Sequence, residues 1–270
     1  MSGPGAAGLA DEPGLALLMA KIERRGLSVT SYKQPCLRRR LAVRMRARGV
    51  HTFGDYATLL DRVPEEFDLL LDALTINVTK FFRNPETYAV LRERVVPELA
   101  AHVGPVAVWS AGSATGEEPY SLAILFAEAA GRARVRIDAT DLDPGALAFL
   151  QRAEYPKSAV QDVPADLLAR YFPQGGPPFR VGENVKRMVH PIRHDLTRDG
   201  PPSPPYHLIV CRNVVIYFDR PTQEHLFESF HQALAPGGWL LLGKVETLFG
   251  KSRTLFKTED ARERLFRRPA

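Results

Sequence analysis

The spacing of apolar residues divides the chain into two parts with different rhythms. Residues 14–74 keep a helical period. In GLALLMAKIERRG, Leu15, Leu17, Leu18, Met19 and Ile22 are apolar before Gly26 stops the run. In KQPCLRRRLAVRMRARGV, Leu37, Leu41 and Met45 stand four apart. Arg40, Arg44 and Arg48 form a parallel stripe about 60° round the same helix. DYATLLDRVPEEFDLLLDALT continues the pattern with a break at Pro64. These residues predict an all-helical domain over 14–74, preceded by a flexible leader over 1–13.

From residue 85 short apolar runs alternate with amphipathic stretches. Asn84 is placed to cap, and Pro85 to open, a helix reaching about Ala100. VAVWSAG (106–112), VRIDATD (135–141), VKRMVHPI (185–192), HLIVC (207–211) and WLLLG (239–243) read as strands. EEPYSLAILFAEAAG, ending at Gly131, DPGALAFLQRA, and PTQEHLFESFHQALAPGG with a glycine stop read as helices. Such alternation predicts an α/β domain over 85–270, a parallel sheet covered on both faces. Residues 154–184, with turn-rich PQGGPPF, break the alternation as an insertion, and PQGGPPFRVGENVKRMV could form hairpin strands. Residues 75–84 remain as an interdomain linker.

Composition narrows the class without naming a partner. The 270 residues are 45% hydrophobic and 25% charged, an ordinary globular balance. A net charge of +5 suits an acidic partner of any kind. Cys36 and Cys211 are too few for a disulfide framework and fit a reducing cytosol. No run approaches the roughly 20 apolar residues that span a bilayer.

Ligands of parallel sheets collect at the carboxyl ends of the strands, so the polar residues there are the candidates. After the first strand comes SAGSATGEEPYS. Gly112 and Gly116 allow a turn and a close backbone approach, and Glu117 and Glu118 open the next helix. There is no Gly-Lys-Ser/Thr, and two carboxylates would repel a phosphate. A glycine turn with acid suits an amino group or a ribose. Asp141, at the tip of the second strand, can accept from ribose hydroxyls, while Asp143 before Pro144 is a helix cap. Asp195 and Leu196 after the third strand could flank an adenine or form a solvated turn. Arg212, Asn213 and Tyr217 cluster after the fourth strand, where burial without partners is costly. His190 and His194 stand four apart, but cysteine ligands at metal spacing are missing, so no metal is expected. Nucleoside-binding acids without phosphate chemistry point to S-adenosyl-L-methionine.

NVTKFFR, WSAGSATGEEPYSLAI, TDLD, CRNVVIYF followed by PTQEHLF, and LAPGGWLLLGKVETL resemble, in that order, the CheR-type chemotaxis receptor methyltransferases. The resemblance runs from about residue 14 to 250. It implies a class I (Rossmann-like) methyltransferase sheet behind a small helical domain. It also implies a cytoplasmic enzyme that transfers methyl groups from S-adenosyl-L-methionine to glutamate carboxylates of methyl-accepting chemotaxis receptors, leaving S-adenosyl-L-homocysteine. Cofactor contacts are implied at Asn77, Thr79, Arg83, Glu118, Asp141, Asp195, Leu196, Arg212 and Asn213, with Arg83 and Tyr217 facing the reacting groups. Asp195 and Lys244 depart from the residues common at their positions. The Arg40, Arg44 and Arg48 stripe becomes the expected dock for the cytoplasmic domain of a receptor. Phe81 and Phe82 are expected to pack and exclude water beside Arg83. Other readings keep the fold: a non-catalytic sensor of the cofactor, or a methyltransferase for another acidic protein or for nucleic acid. Adenine-modifying enzymes usually carry an Asn/Asp-Pro-Pro-Tyr-like motif where this chain has RNVVIY.

Overall fold

The computed structural model describes residues 14–75, 77, 79–129 and 134–270. The expected leader over 1–13 and the helix stop at Gly131 lie outside the described residues. The chain divides into two compact units, Met1–Ile76 and Asn77–Ala270.

Among the described residues the first unit holds four α-helices: α1 (Leu15–Arg24), α2 (Gln34–Ala47), α3 (Phe53–Arg62) and α4 (Glu65–Leu74). Their apolar stripes face inward, with Leu18, Ile22, Leu41, Tyr56 and Leu70 sealed from solvent. Thr52 ends the approach to α3 by accepting a hydrogen bond from the Asp55 amide. One charge is buried among them. Glu66 accepts from Arg44 Nε and Nη2 at 2.6 and 2.7 Å and from the Tyr56 hydroxyl at 2.8 Å. Arg48 Nε stands 3.3 Å from the same carboxylate. The docking stripe is therefore revised: Arg44 turns inward to compensate a buried acid, while Arg48 reaches the same acid from an exposed position. Arg40 is half-buried, and the exposed arginines of α2 are Arg39 and Arg46.

In the second unit a helix starts at Pro85, as expected, but is not uniform. α5 (Pro85–Val90) widens into a π-type turn over Leu91–Val95 before α6 (Val96–Ala100). Pro97 has no N–H to donate to the preceding turn, a common cause of such distortion. Asn84 does not cap α5. Its backbone is left-handed at φ 64°, and its side-chain oxygen accepts from Arg212 instead.

The main sheet joins β1 (Val106–Ala111), β2 (Val135–Asp141), β5 (Val189–Arg193), β6 (Tyr206–Cys211), β7 (Leu234–Leu242), β8 (Lys257–Asp260) and β9 (Leu265–Arg267). Their order is β5-β2-β1-β6-β7-β9-β8. The first five run parallel, with Trp109 beside Asp138 on one side and Ile209 on the other. The last two form an antiparallel edge, Trp239 facing Arg267, so the sheet is mixed. α7 (Glu117–Glu128) and α8 (Pro144–Arg152) connect the first strands. Asp143 caps α8 by accepting from the Gly145 amide, as expected.

The insertion forms around a two-stranded antiparallel pair, β3 (Glu154–Tyr155) with β4 (Phe179–Arg180). It encloses α9 (Lys157–Val160) and α10 (Ala165–Tyr171). A hairpin confined to PQGGPPFRVGENVKRMV is not formed, because β4 takes its partner from before the helices. Part of the expected third strand is helical too: α11 (Glu183–Lys186) inserts Val185 fully into the core and leaves the strand to begin at Val189. The glycines of LAPGG are not a stop. α12 (Arg220–Ala233) passes directly into β7, and Gly237, at φ 75°, lies within the strand beside a register shift. Among the described residues no helix is long and apolar enough to cross a membrane.

Candidate functional site

The loops after β1 and β2 are built by each other. Gly112, Ala114 and Gly116 turn the chain at φ 81°, 46° and 99°. The amides of Gly112 and Ser113 donate to the Thr140 carbonyl, and the Ala114 amide donates to Asp141 Oδ2 at 2.8 Å. Asp141 Oδ1 accepts from the Asp143 amide at 3.0 Å. Asp141 thus pins the turn and, with two oxygens, retains lone pairs for a ligand. Burial pushes its carboxyl up, and the two backbone donors act against that rise.

The glycines do more for packing than for ligand approach. A Cβ at Gly112 would lie 2.4 Å from Val214 Cγ2. One at Gly116 would lie 2.6 Å from Leu150 Cγ and 2.8 Å from the Tyr155 hydroxyl. The expected turn is present, but side chains of this protein fill the space beside both glycines.

Arg212 ties the segment before α5 to the strand tips. Its Nη2 donates to the Arg83 carbonyl at 2.9 Å and to Asn84 Oδ1 at 2.8 Å. Nη1 stands 3.6 Å from Glu118 Oε2, and the guanidinium lies over the Tyr88 ring. Glu118 also accepts from the Ser110 hydroxyl at 2.9 Å. Burial raises the Glu118 carboxyl, against the pull of Arg212. Phe81 and Phe82 are buried. Phe81 packs edge-on to Tyr155 and Phe172 of the insertion, its amide donating to Ala159. The Phe82 amide donates to Ser121 Oγ at 2.9 Å. This packing brings the half-buried Arg83 beside the Glu118 and Arg212 pair.

Asn77 Nδ2 donates to Asp143 Oδ2 at 2.8 Å, which brings it to the same tip as Asp141. Thr79 is half-buried a short way along the same segment. Asp195 follows β5, the neighbour of β2, and the His194 amide donates to the Asp141 carbonyl. One Asp195 oxygen accepts from the Thr197 amide and hydroxyl, forming a tight turn that half-covers Leu196. Asn213, at φ 62°, and the half-buried Tyr217 belong to the segment after β6. Asn77, Thr79, Arg83, Glu118, Asp141, Asp195, Leu196, Arg212, Asn213 and Tyr217 all belong to the second unit, and Arg40, Arg44 and Arg48 belong to the helical one.

Two contributors escape sequence reading. Tyr88 lies buried under Arg212 and resembles an ordinary helix-face aromatic in the sequence. Glu246 is buried after β7, where its carboxylate gathers backbone amides of the Asn213–Tyr217 segment. The rule that selected Asp141, an acid just past an apolar strand, also selects Glu246 once applied to WLLLGKVE.

Among the described residues, four buried polar atoms at these tips lack a hydrogen-bond partner: Ser113 Oγ after β1, His194 Nδ1 and Asp195 Oδ2 after β5, and Arg212 Nε after β6. Buried polar atoms are normally satisfied, so this set marks where a polar ligand edge belongs. A hydroxyl, a carboxylate and a guanidinium N–H, with the buried acids Asp141 and Glu118 beside them, suit ribose hydroxyls, an amino group and a carboxylate. The donors thus fit S-adenosyl-L-methionine.

Comparison with known proteins agrees with this geometry. Residues 77–265 match the family described as CheR methyltransferase, SAM binding domain, and residues 16–75 match CheR methyltransferase, all-alpha domain. The chain is 37% identical over 228 residues to chemotaxis protein methyltransferase 2 of Pseudomonas aeruginosa, covering 82% of this chain and 81% of that one. It is 33% identical over 244 residues to the chemotaxis protein methyltransferase of Klebsiella aerogenes, with 87% and 82% covered. The corresponding protein of Salmonella typhimurium is 34% identical over 233 residues, with 83% and 80% covered.

Proposed function

Because the chain belongs to the CheR methyltransferase family and takes S-adenosyl-L-methionine as its methyl donor, we propose that it esterifies glutamate side chains of methyl-accepting chemotaxis receptors. The observation that carries this reading is the strut from Arg212 to the Arg83 carbonyl and Glu118, which fixes a cation-bearing segment against the acids at the strand tips.

When bound, the cofactor supplies a methyl group made electrophilic by its sulfonium. Asp141 would accept from the ribose hydroxyls, and Glu118 would face the donor's positive charge. Asp195 and Leu196 would flank the adenine, with Asn77, Thr79, Arg212 and Asn213 completing the contacts. The acceptor glutamate needs no general base, since a carboxylate with a pKa near 4.3 is already ionised at neutral pH. Positioning is the main task, and alignment of reacting groups can supply about 7–11 kcal/mol. Arg83 pairs with the acceptor carboxylate and Tyr217 hydrogen-bonds to it. That grip is limited, because carboxylate and sulfonium lose their charges together and a tightly held ground state would slow the step. Phe81 and Phe82 keep water away from the same place.

Receptor docking is assigned to the exposed charge of α2, led by Arg39 and Arg46 with Arg40 at its edge. A basic face steers an acidic partner from a distance. The deciding experiment incubates the protein with labelled S-adenosyl-L-methionine and cytoplasmic fragments of chemoreceptors. Label released by mild alkali identifies carboxyl esters and supports the proposal. Label that resists alkali, or no incorporation with cofactor bound, overturns it.

A further inference from the structure

Glu246 makes an unusual set of contacts for a side chain outside the cofactor loops. Its Oε2 accepts from the amides of Gly243 at 2.6 Å and Asn213 at 3.0 Å. Its Oε1 accepts from the amides of Val214 at 3.0 Å and Ile216 at 3.3 Å. The side chain is buried, only 4% exposed. A neutral turn would satisfy such amides with carbonyls or water; here one carboxylate satisfies four.

The other face of the segment is held as well. Gln223 of α12 donates through Nε2 to the carbonyls of Val215 and Phe218, both at 2.9 Å. Asn213 is fixed in the left-handed region, which is uncommon for a residue with a side chain. Amides on one side and carbonyls on the other are both taken by side chains from neighbouring elements. Gly243 is part of the same fit: a Cβ there would lie 2.7 Å from Glu246 Oε2 and 2.8 Å from the Asn213 nitrogen.

We propose that Glu246 is a positioning residue for methyl transfer: its carboxylate fixes the backbone of Asn213–Tyr217, and so the placement of the Tyr217 hydroxyl, without touching either reactant. This rests on the functional reading above, so one readout is chosen that does not depend on it. Glu246→Gln preserves size but replaces one acceptor oxygen with an NH2 group, which opposes two of the four amides. Hydrogen exchange is measured at Gly243, Asn213, Val214 and Ile216, together with methyl-transfer kinetics at saturating cofactor.

The expected result is at least tenfold faster exchange at one pair of these amides, unchanged exchange in β1 and β6, and at least a tenfold fall in kcat. Gly243→Ala, whose Cβ displaces the carboxylate, should reproduce the effect at the same amides and serves if the first variant does not fold. Unchanged exchange at all four amides, or faster exchange with undiminished kcat, overturns the proposal. If the wild-type protein transfers no methyl group, the functional reading fails on its own, and the exchange data still decide whether Glu246 holds the segment.

Discussion

Arg83 and Glu118 carry the two charges on which the proposed chemistry turns, and they answer to different measurements. Arg83→Ala should lose most methyl transfer even when cofactor is saturating; near-normal turnover under that condition would remove Arg83 from the mechanism. Glu118 governs the response to acid. Burial holds its carboxyl above the ordinary range, and a bound cation would favour the ionised form. Below that raised pKa the cofactor must expel a proton to bind, so affinity falls as pH falls. The decline should begin above the usual carboxylate range. Calorimetry across pH should show a slope that Glu118→Gln reduces, with the rest remaining because Asp141 is raised as well. Residue types made Asp141, Glu118 and Arg212 candidates, and the structure brings all three to the strand tips. Burial was not readable: nothing in RNVVIY says that Arg212 spends its donors on the Arg83 carbonyl and Asn84. Nor does the sequence show that Arg44 faces a carboxylate on α4, since that depends on helix packing.

The glycine turn after β1 is the element where local sequence and distant packing meet. Gly112 needs both its positive φ and the room occupied by Val214. Gly112→Ala should therefore cost on the order of 1–3 kcal/mol in backbone strain alone. The Val214 clash adds to this, so melting temperature and cofactor affinity both drop. Adding Val214→Ala should recover part of the loss, because it relieves the clash and leaves the strain. The five parallel strands were legible as apolar runs. The β8–β9 edge was not, since Leu265 and Phe266 are the only apolar residues of its two strands. The β3–β4 pair escaped for another reason: its partners are separated by two helices, and a two-residue strand has no period to detect.

At the scale of the molecule the helical unit holds its own electrostatic anchor. Burial would raise the Glu66 carboxyl, but hydrogen bonds from Arg44 and Tyr56 bring it below its ordinary value. A depressed carboxyl stabilises the fold above the unfolded pKa of about 4.3, and that stability is lost as pH falls through the folded value. Arg44→Met should destabilise the unit by up to about 3 kcal/mol at neutral pH, because it leaves the buried Glu66 charge with only Tyr56 and the more distant Arg48. The deficit should shrink toward acid, which chemical denaturation at two pH values would show. Reversing Arg39 and Arg46 to Glu should instead leave stability unchanged and slow methylation of an acidic receptor fragment. Equal slowing with an uncharged acceptor would argue against docking there.

The antiparallel edge also decides which way the chain leaves the domain. β9 runs back along β7, and by Arg268 it exchanges hydrogen bonds with Gly237 and Gly238, near the amino end of that strand. Arg268 consequently lies toward the rim opposite the carboxyl tips of the parallel strands. A label attached at this edge would therefore sit away from the strand tips that carry Asp141 and Glu118, and should leave cofactor binding unchanged.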